Sequence, residues 1–141
     1  MGDQWIDSRE GMTENRLVQV TEWKTVEYTD EAHEVEICWL PENAWVIDVF
    51  VVIGTAFNDS GTDTLQVGIS GGTTAEFLAA ASCASTGNLI GSQAGTPLVP
   101  YAPLTAEKKI VAVYNGQNNN ASAGSARVAI MWAPGFPVWD D

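Results

Sequence analysis

The chain is poor in the residues from which most catalytic centres are built. It has one histidine, His33, and two cysteines, Cys38 and Cys83, far apart and outside any CxxC spacing. A transition-metal cage and thiol redox chemistry therefore lack their ligands, and the cysteines are expected to be reduced core residues. A Ser-His-Asp triad would have to rest on His33, yet no G-x-S-x-G elbow supplies a nucleophile, and phosphate-cradling glycine motifs are missing. Positive charge is equally scarce: six Lys and Arg stand against eighteen Asp and Glu, a formal net charge of -12. That balance opposes attraction to nucleic-acid backbones and to anionic lipid surfaces. The longest apolar run, residues 44–56, contains Asp48 and falls short of the ~20 residues of a membrane-spanning helix. Residues 1–10 carry Asp3, Asp7 and Glu10 where a secretory leader has a basic start and an apolar core, so synthesis in the cytoplasm without a signal peptide is expected.

What the chain does have is strand chemistry. Its 141 residues suit one domain. Residues 1–16 show no sustained period of 2 or 3.6 and read as an N-terminal arm. From Leu17 the chain turns to Val, Thr and aromatics over 17–20 and 23–28, with a shift of inside-outside phase near Glu22 that implies a bulge or bend. Residues 33–40 alternate, placing Val35, Ile37 and Trp39 on one face and Glu34 and Glu36 on the other. Pro41-Glu42-Asn43 breaks the run. Residues 45–57 are nearly unbroken Val, Ile, Phe and Ala, too apolar for a strand with one wet face; such a strand is central in a sandwich or covered by a neighbouring subunit. The turn-rich 58–63 and the alternating 64–69 complete the strongest hairpin candidate. Thr74 to Ser82 has the propensity for a short helix. Two further strands, 109–114 and 126–132, flank a polar connection. Seven or eight strands at short intervals read as an all-β sandwich or barrel spanning 17–132, followed by an extended C-terminal tail, 133–141.

Three clusters invite functional readings. Asn58, Asp59 and Asp63 set hard oxygen ligands in one loop, a calcium pattern weighed against an ordinary turn; no EF-hand Glu follows. Glu34 and Glu36, about 7 Å apart on one strand face, suggest a glycosidase pair but more simply a solvated face. No cofactor or metal is expected. Of the six tryptophans, Trp23, Trp39, Trp45 and Trp132 lie in or beside strands and are expected in the core. Trp5 and Trp139 lie in the arm and tail, where large aromatics anchor on other surfaces. With Ile6, Phe136 and Val138 they form the candidate partner-binding set. The prolines of the tail reduce the entropy lost on docking. Acidic residues crowd the N-terminal third, from Asp3 to Glu42, and are expected to face solvent or a basic partner.

Over Leu40 to Ser70 the sequence LPENAWVIDVFVVIGTAFNDSGTDTLQVGIS resembles the strand-turn-strand core of small tailed-bacteriophage virion proteins. The likeness lies in a Pro-led turn, a Val/Ile-rich strand carrying one Asp, a TAF end, a polar loop and a TLQVG strand; a weaker likeness covers 109–132. These proteins are jelly-roll capsid decoration (cementing) proteins and related fibre or tail modules. The resemblance implies a jelly roll, a homotrimer, a place on the outer capsid surface of the virion, and the major capsid protein as partner. It carries no catalytic residues, and no enzyme is expected. The function it implies is stabilisation of the shell by bridging neighbouring major capsid proteins. The alternative is a receptor- or carbohydrate-binding module in which Tyr101 or Trp139 stacks on sugar rings.

Overall fold

The computed structural model describes residues 18–135; the arm and most of the tail lie outside them. Nine β segments run in order: β1 (Gln19–Val20), β2 (Lys24–Glu27), β3 (Glu34–Leu40), β4 (Trp45–Thr55), β5 (Asp63–Ile69), β6 (Leu78–Ser82), β7 (Gly87–Ile90), β8 (Lys108–Gly116) and β9 (Ser125–Ala133). They form two antiparallel sheets. The first has the order β1-β9-β4-β7, with β2 also on β9, and the second has the order β3-β8-β5-β6. β1 and β2 are two pieces of one edge strand. Between Val20, opposite Met131, and Lys24, opposite Val128, that strand gains one residue on its partner. The bulge read near Glu22 is therefore present, and Thr21 stitches it: its N–H donates to the Ile130 carbonyl and its hydroxyl accepts from the Ile130 N–H, both at 3.0 Å. Counting that edge as one strand gives two four-stranded layers in which every connection except β5–β6 passes from sheet to sheet, the topology of a jelly roll.

The crossings correct two expectations. β4 and β5 do not form a hairpin, because β4 pairs with β7 and β9 while β5 pairs with β6 and β8. Both strands carry an apolar inner face, and facing each other across the sandwich buries both. The helix expected over Thr74 to Ser82 is also absent. Leu78–Ser82 is strand β6 on the edge of β5, preceded by a turn in which Thr74 has a φ of 56°. A helix of so few residues is marginal alone, whereas the strand seats Phe77 and Leu78 in the core.

Val49, Val51, Leu65, Ile130 and the ring pairs Phe57–Tyr114 and Phe77–Tyr101, with centroids 4.4 and 4.9 Å apart, fill the space between the sheets. Cys83 is buried among them and Cys38 is half-buried; both are free thiols. Burial, reinforced by the Asp63 charge, pushes Cys83 up to about 12. Burial raises Cys38 to about 11 against the opposing pull of Lys24. Thiols so protonated are poor nucleophiles and ligands.

Candidate interaction surface

The polar clusters marked in the sequence are structural. Asp59 accepts the backbone N–H of Gly61 at 2.7 Å, of Asn118 at 3.0 Å and of Asn120 at 3.0 Å. Desolvation alone would raise its carboxyl, but the N–H groups of Asn120, Gly61, Asn118 and Asn119 outweigh it and hold the group below its ordinary value. Around it, Asn58 accepts from the Ser122 and Ala123 N–H groups, and Asn120 from that of Ser60. The loop expected as a calcium candidate is thus a lock between the β4–β5 and β8–β9 connections, with its carboxylate already spent on amides. Among the described residues no three His, Cys, Asp or Glu side chains are grouped to hold a metal. His33 is exposed, its Nδ1 2.8 Å from the Glu31 carbonyl. Glu34 and Glu36 stand exposed on the outer face of the second sheet, Glu34 accepting the Ser70 hydroxyl at 2.6 Å. Among the described residues no helix is long and apolar enough to cross a membrane.

The outer faces of the two sheets differ in kind. The second sheet shows Glu34, Glu36, Gln66 and Lys109 and is partly covered by its own chain. The segment after β5 folds over Gly68, where an added Cβ would collide with Glu76 and with the backbone of residues 74 and 75. Glu76 fastens that cover by accepting the N–H groups of Ile69 at 2.7 Å and Thr73 at 3.1 Å. The first sheet shows an apolar band instead. Residues directly opposite in register share a face, so the pairs Val20–Met131, Phe50–Ala129 and Phe50–Ile90 run across all four strands on the side away from the core. Val18, Trp45 and Ile47 extend the band at one end, and Arg127, Asn88 and Val52 close the other. Val18, Val20 and Trp45 are 52%, 54% and 46% exposed. Asp48, the one carboxylate of β4, turns sideways and accepts the Ser92 N–H at 2.9 Å and hydroxyl at 2.7 Å, tying the Gly91–Gln93 turn to the sheet. An apolar band of this kind is a surface suited to burial against another protein.

Three of the four strand tryptophans expected in the core are on the surface: Trp23 is 46% exposed, Trp39 54% and Trp45 46%, and only Trp132 packs on the core. Bulges cause this. Trp23 lies in the β1–β2 bulge. A register shift between Glu36 and Cys38 turns Trp39 outward and puts Leu40 in the core. Another shift, between Val46 and Asp48, lies just after Trp45. The alternation of residues 33–40 carries no mark of that break, whereas the apolar excess of residues 45–57 does signal the exposed band. Of the candidate partner-binding residues, Trp5, Ile6, Phe136, Val138 and Trp139 all lie outside the described residues.

No protein-family model matches the chain, and no curated protein sequence is significantly similar to it. Solved structures do share its architecture. A chain of the cyanophage Pam1 capsid asymmetric unit superposes with a TM-score of 0.63 at 22% identity, over 86% of this chain and 88% of that one. A chain of the Ralstonia phage GP4 capsid gives 0.64 at 14% identity, over 88% and 87%. A chain of the acid-stable capsid of Helicobacter pylori bacteriophage KHP30 gives 0.62 at 16%, over 82% and 86%. At such identities the likeness is one of fold: this chain has, over nearly its whole length, the jelly roll of chains found in three phage capsids.

Proposed function

We propose that this chain is a non-enzymatic structural protein of a tailed-phage virion, seated as a homotrimer on the outer capsid surface, where it stabilises the shell by bridging neighbouring major capsid proteins. The observation that carries the reading is the near full-length likeness to chains of three phage capsids. The apolar outer face of the first sheet supports it, being a surface suited to burial against another protein. The segments outside the described residues carry Trp5 and Ile6 at one end and Phe136, Val138 and Trp139 at the other, side chains of the kind that anchor protein interfaces. Several weak attachments on one shell add by effective concentration, so a trimer holds firmly without any single strong contact. The carbohydrate-binding alternative needs Tyr101 or Trp139 free to stack on a sugar ring: Tyr101 has a half-buried ring packed in a T-shaped pair with Phe77 and an N–H that donates to the Val46 carbonyl, and Trp139 lies outside the described residues. The test is quantitative mass spectrometry of purified virions together with the heat stability of heads that lack the protein. Stoichiometric copies and weaker heads are expected; absence from virions, or saturable binding on a glycan array, would overturn the proposal.

A further inference from the structure

Residues 77–106 contain no Asp, Glu, Lys, Arg or His, the longest such stretch in a sequence of net charge -12. The fold gathers the stretch at one side of the sandwich. It builds β6, which ends the second sheet, β7, which ends the first, and the Gly91–Gln93 turn with the loop that follows. Between the two strands lies a groove of about 470 Å³, with Leu78, Ala80, Leu89, Ile90, Gln93 and Ala94 among its walls and no charged side chain in them. Glu76, just before the stretch, is held by the N–H groups of Ile69 and Thr73, and Asp48 by Ser92.

Both strands are free edges. Ala79, Ala80, Gly87 and Asn88 are exposed, and among the described residues the backbones of 79–81 and 87–89 make no hydrogen bond beyond those with β5 and β4. An unpaired edge is a template for another chain, and folded proteins blunt it with charge or a bulge. The opposite side of the sandwich is blunted in both ways: β3 carries Glu34 and Glu36, and the β1–β2 edge has Glu22 in its bulge with Lys24 and Glu27 beyond. On the groove side β6 has a register shift opposite Gln66, β7 has none, and neither strand carries a charge.

Charge selects the occupant. A basic partner would gain most on the acidic faces, where Glu34 and Glu36 stand exposed. A second copy brings its own -12, so its approach costs least where both surfaces lack charge, and the cores of protein interfaces are depleted of charged residues for the same reason. We infer that the charge-free β6–β7 side is the surface through which copies of this chain join. Three such sides facing one threefold axis, each meeting the next, close a ring. The inference rests on the homotrimer reading for the number of copies and adds the surface on which they meet.

The experiment is multi-angle light scattering of the full chain over a concentration series, with circular dichroism to confirm folding. Ala80→Glu and the isosteric Gln93→Glu, both at exposed positions on the groove, each set a carboxylate on this side of every copy. Each is expected to raise the concentration of half-dissociation about tenfold or more. Val20→Glu, on the outer band of the first sheet, is the control and is expected to leave it unchanged. Raised salt is expected to tighten the wild-type oligomer, because it screens repulsion between acidic copies and strengthens apolar burial. A full chain that is monomeric at every concentration, an oligomer indifferent to both groove variants, one that Val20→Glu weakens as much, or one that salt dissociates would each overturn the inference. A dimer that the groove variants dissociate would overturn the threefold reading and leave the contact standing. Absence of the protein from virions would overturn the capsid reading alone.

Discussion

Tyr114→Phe isolates one buried hydrogen bond. The hydroxyl donates to Asp63 Oδ1 at 2.6 Å, and the same oxygen accepts the Asp59 N–H at 3.1 Å. Tyr114 is fully buried and Asp63 is 3% exposed. Phenylalanine keeps the ring against Phe57 and removes only the donor, leaving a buried carboxylate short of a partner. A hydrogen bond to a charged group contributes about 1.5–3 kcal/mol. For a domain of this size each kcal/mol moves Tm by roughly 3–6 °C, so a fall of roughly 5–18 °C is expected by calorimetry at pH 7. The pH dependence provides a second reading. Burial, then the hydrogen bond to Asp63 and its charge, raise the Tyr114 pKa well above its ordinary value. The folded protein keeps that proton where the unfolded chain gives it up. Its stabilising contribution is therefore complete below about pH 10, the unfolded value, and is lost as pH rises toward the raised folded one. The difference in Tm between wild type and Y114F should shrink across that window. A fall of less than about 2 °C at pH 7, where roughly 5 °C is the least expected, or a difference that grows above pH 10, would refute this account of the pair.

Three other substitutions probe separate features. Gly124→Ala adds a Cβ against the Phe57 ring at a φ of 148°, and the clash with the strain should cost about 2–5 kcal/mol in denaturant titration. Asp59→Asn removes a carboxylate held below its usual pKa by backbone amides, a contribution present above about pH 4 and lost as pH falls through the lower folded value; melts should show the variant less stable at pH 7 and level with wild type under strong acid. Val20→Glu, at a 54% exposed position in the apolar band, should change stability by less than about 0.5 kcal/mol while reducing head occupancy in a co-sedimentation assay.

Much of the fold was legible because burial leaves a periodic trace. The phase shift near Glu22 announced the broken edge strand, and the uniform apolarity of residues 45–57 announced a central strand whose outer side is also apolar. Strand pairing was less legible. The turn signals of residues 58–63 would serve a hairpin or a crossing equally well; what decides is the inner face of β4 meeting β5 across the core, a contact between layers that no local window contains. Ala79, Ala80 and Ala81 favour a helix by propensity, but β5 offers them an edge and the core takes Phe77 and Leu78, so pairing overrides preference. The bulge after Glu36 has no composition signal, and with it went the placement of Trp39.

The same contrast governs where the molecule can meet a partner. A chain of net charge -12 repels its own copies, so close approach is easiest where acidic side chains are absent or already used. Asp48 and Asp59 are spent on Ser92 and on loop amides, while Glu34 and Glu36 remain exposed on the outer side of the second sheet. On the outer side of the first sheet the carboxylates are the tethered Asp48 and, at the far end beside Arg127, the exposed Glu27, so the apolar stretch between them is free of acidic groups. The bulges that turn Trp23, Trp39 and Trp45 outward add large aromatics to the surface near the points where the chain enters and leaves the described fold. Bulges weaken local pairing, and here the residues they expose are those of greatest contact area. The broad band of the first sheet therefore suits a partner that presents apolar surface. Raised salt, which screens repulsion between acidic chains and strengthens apolar burial, should leave such a contact in place.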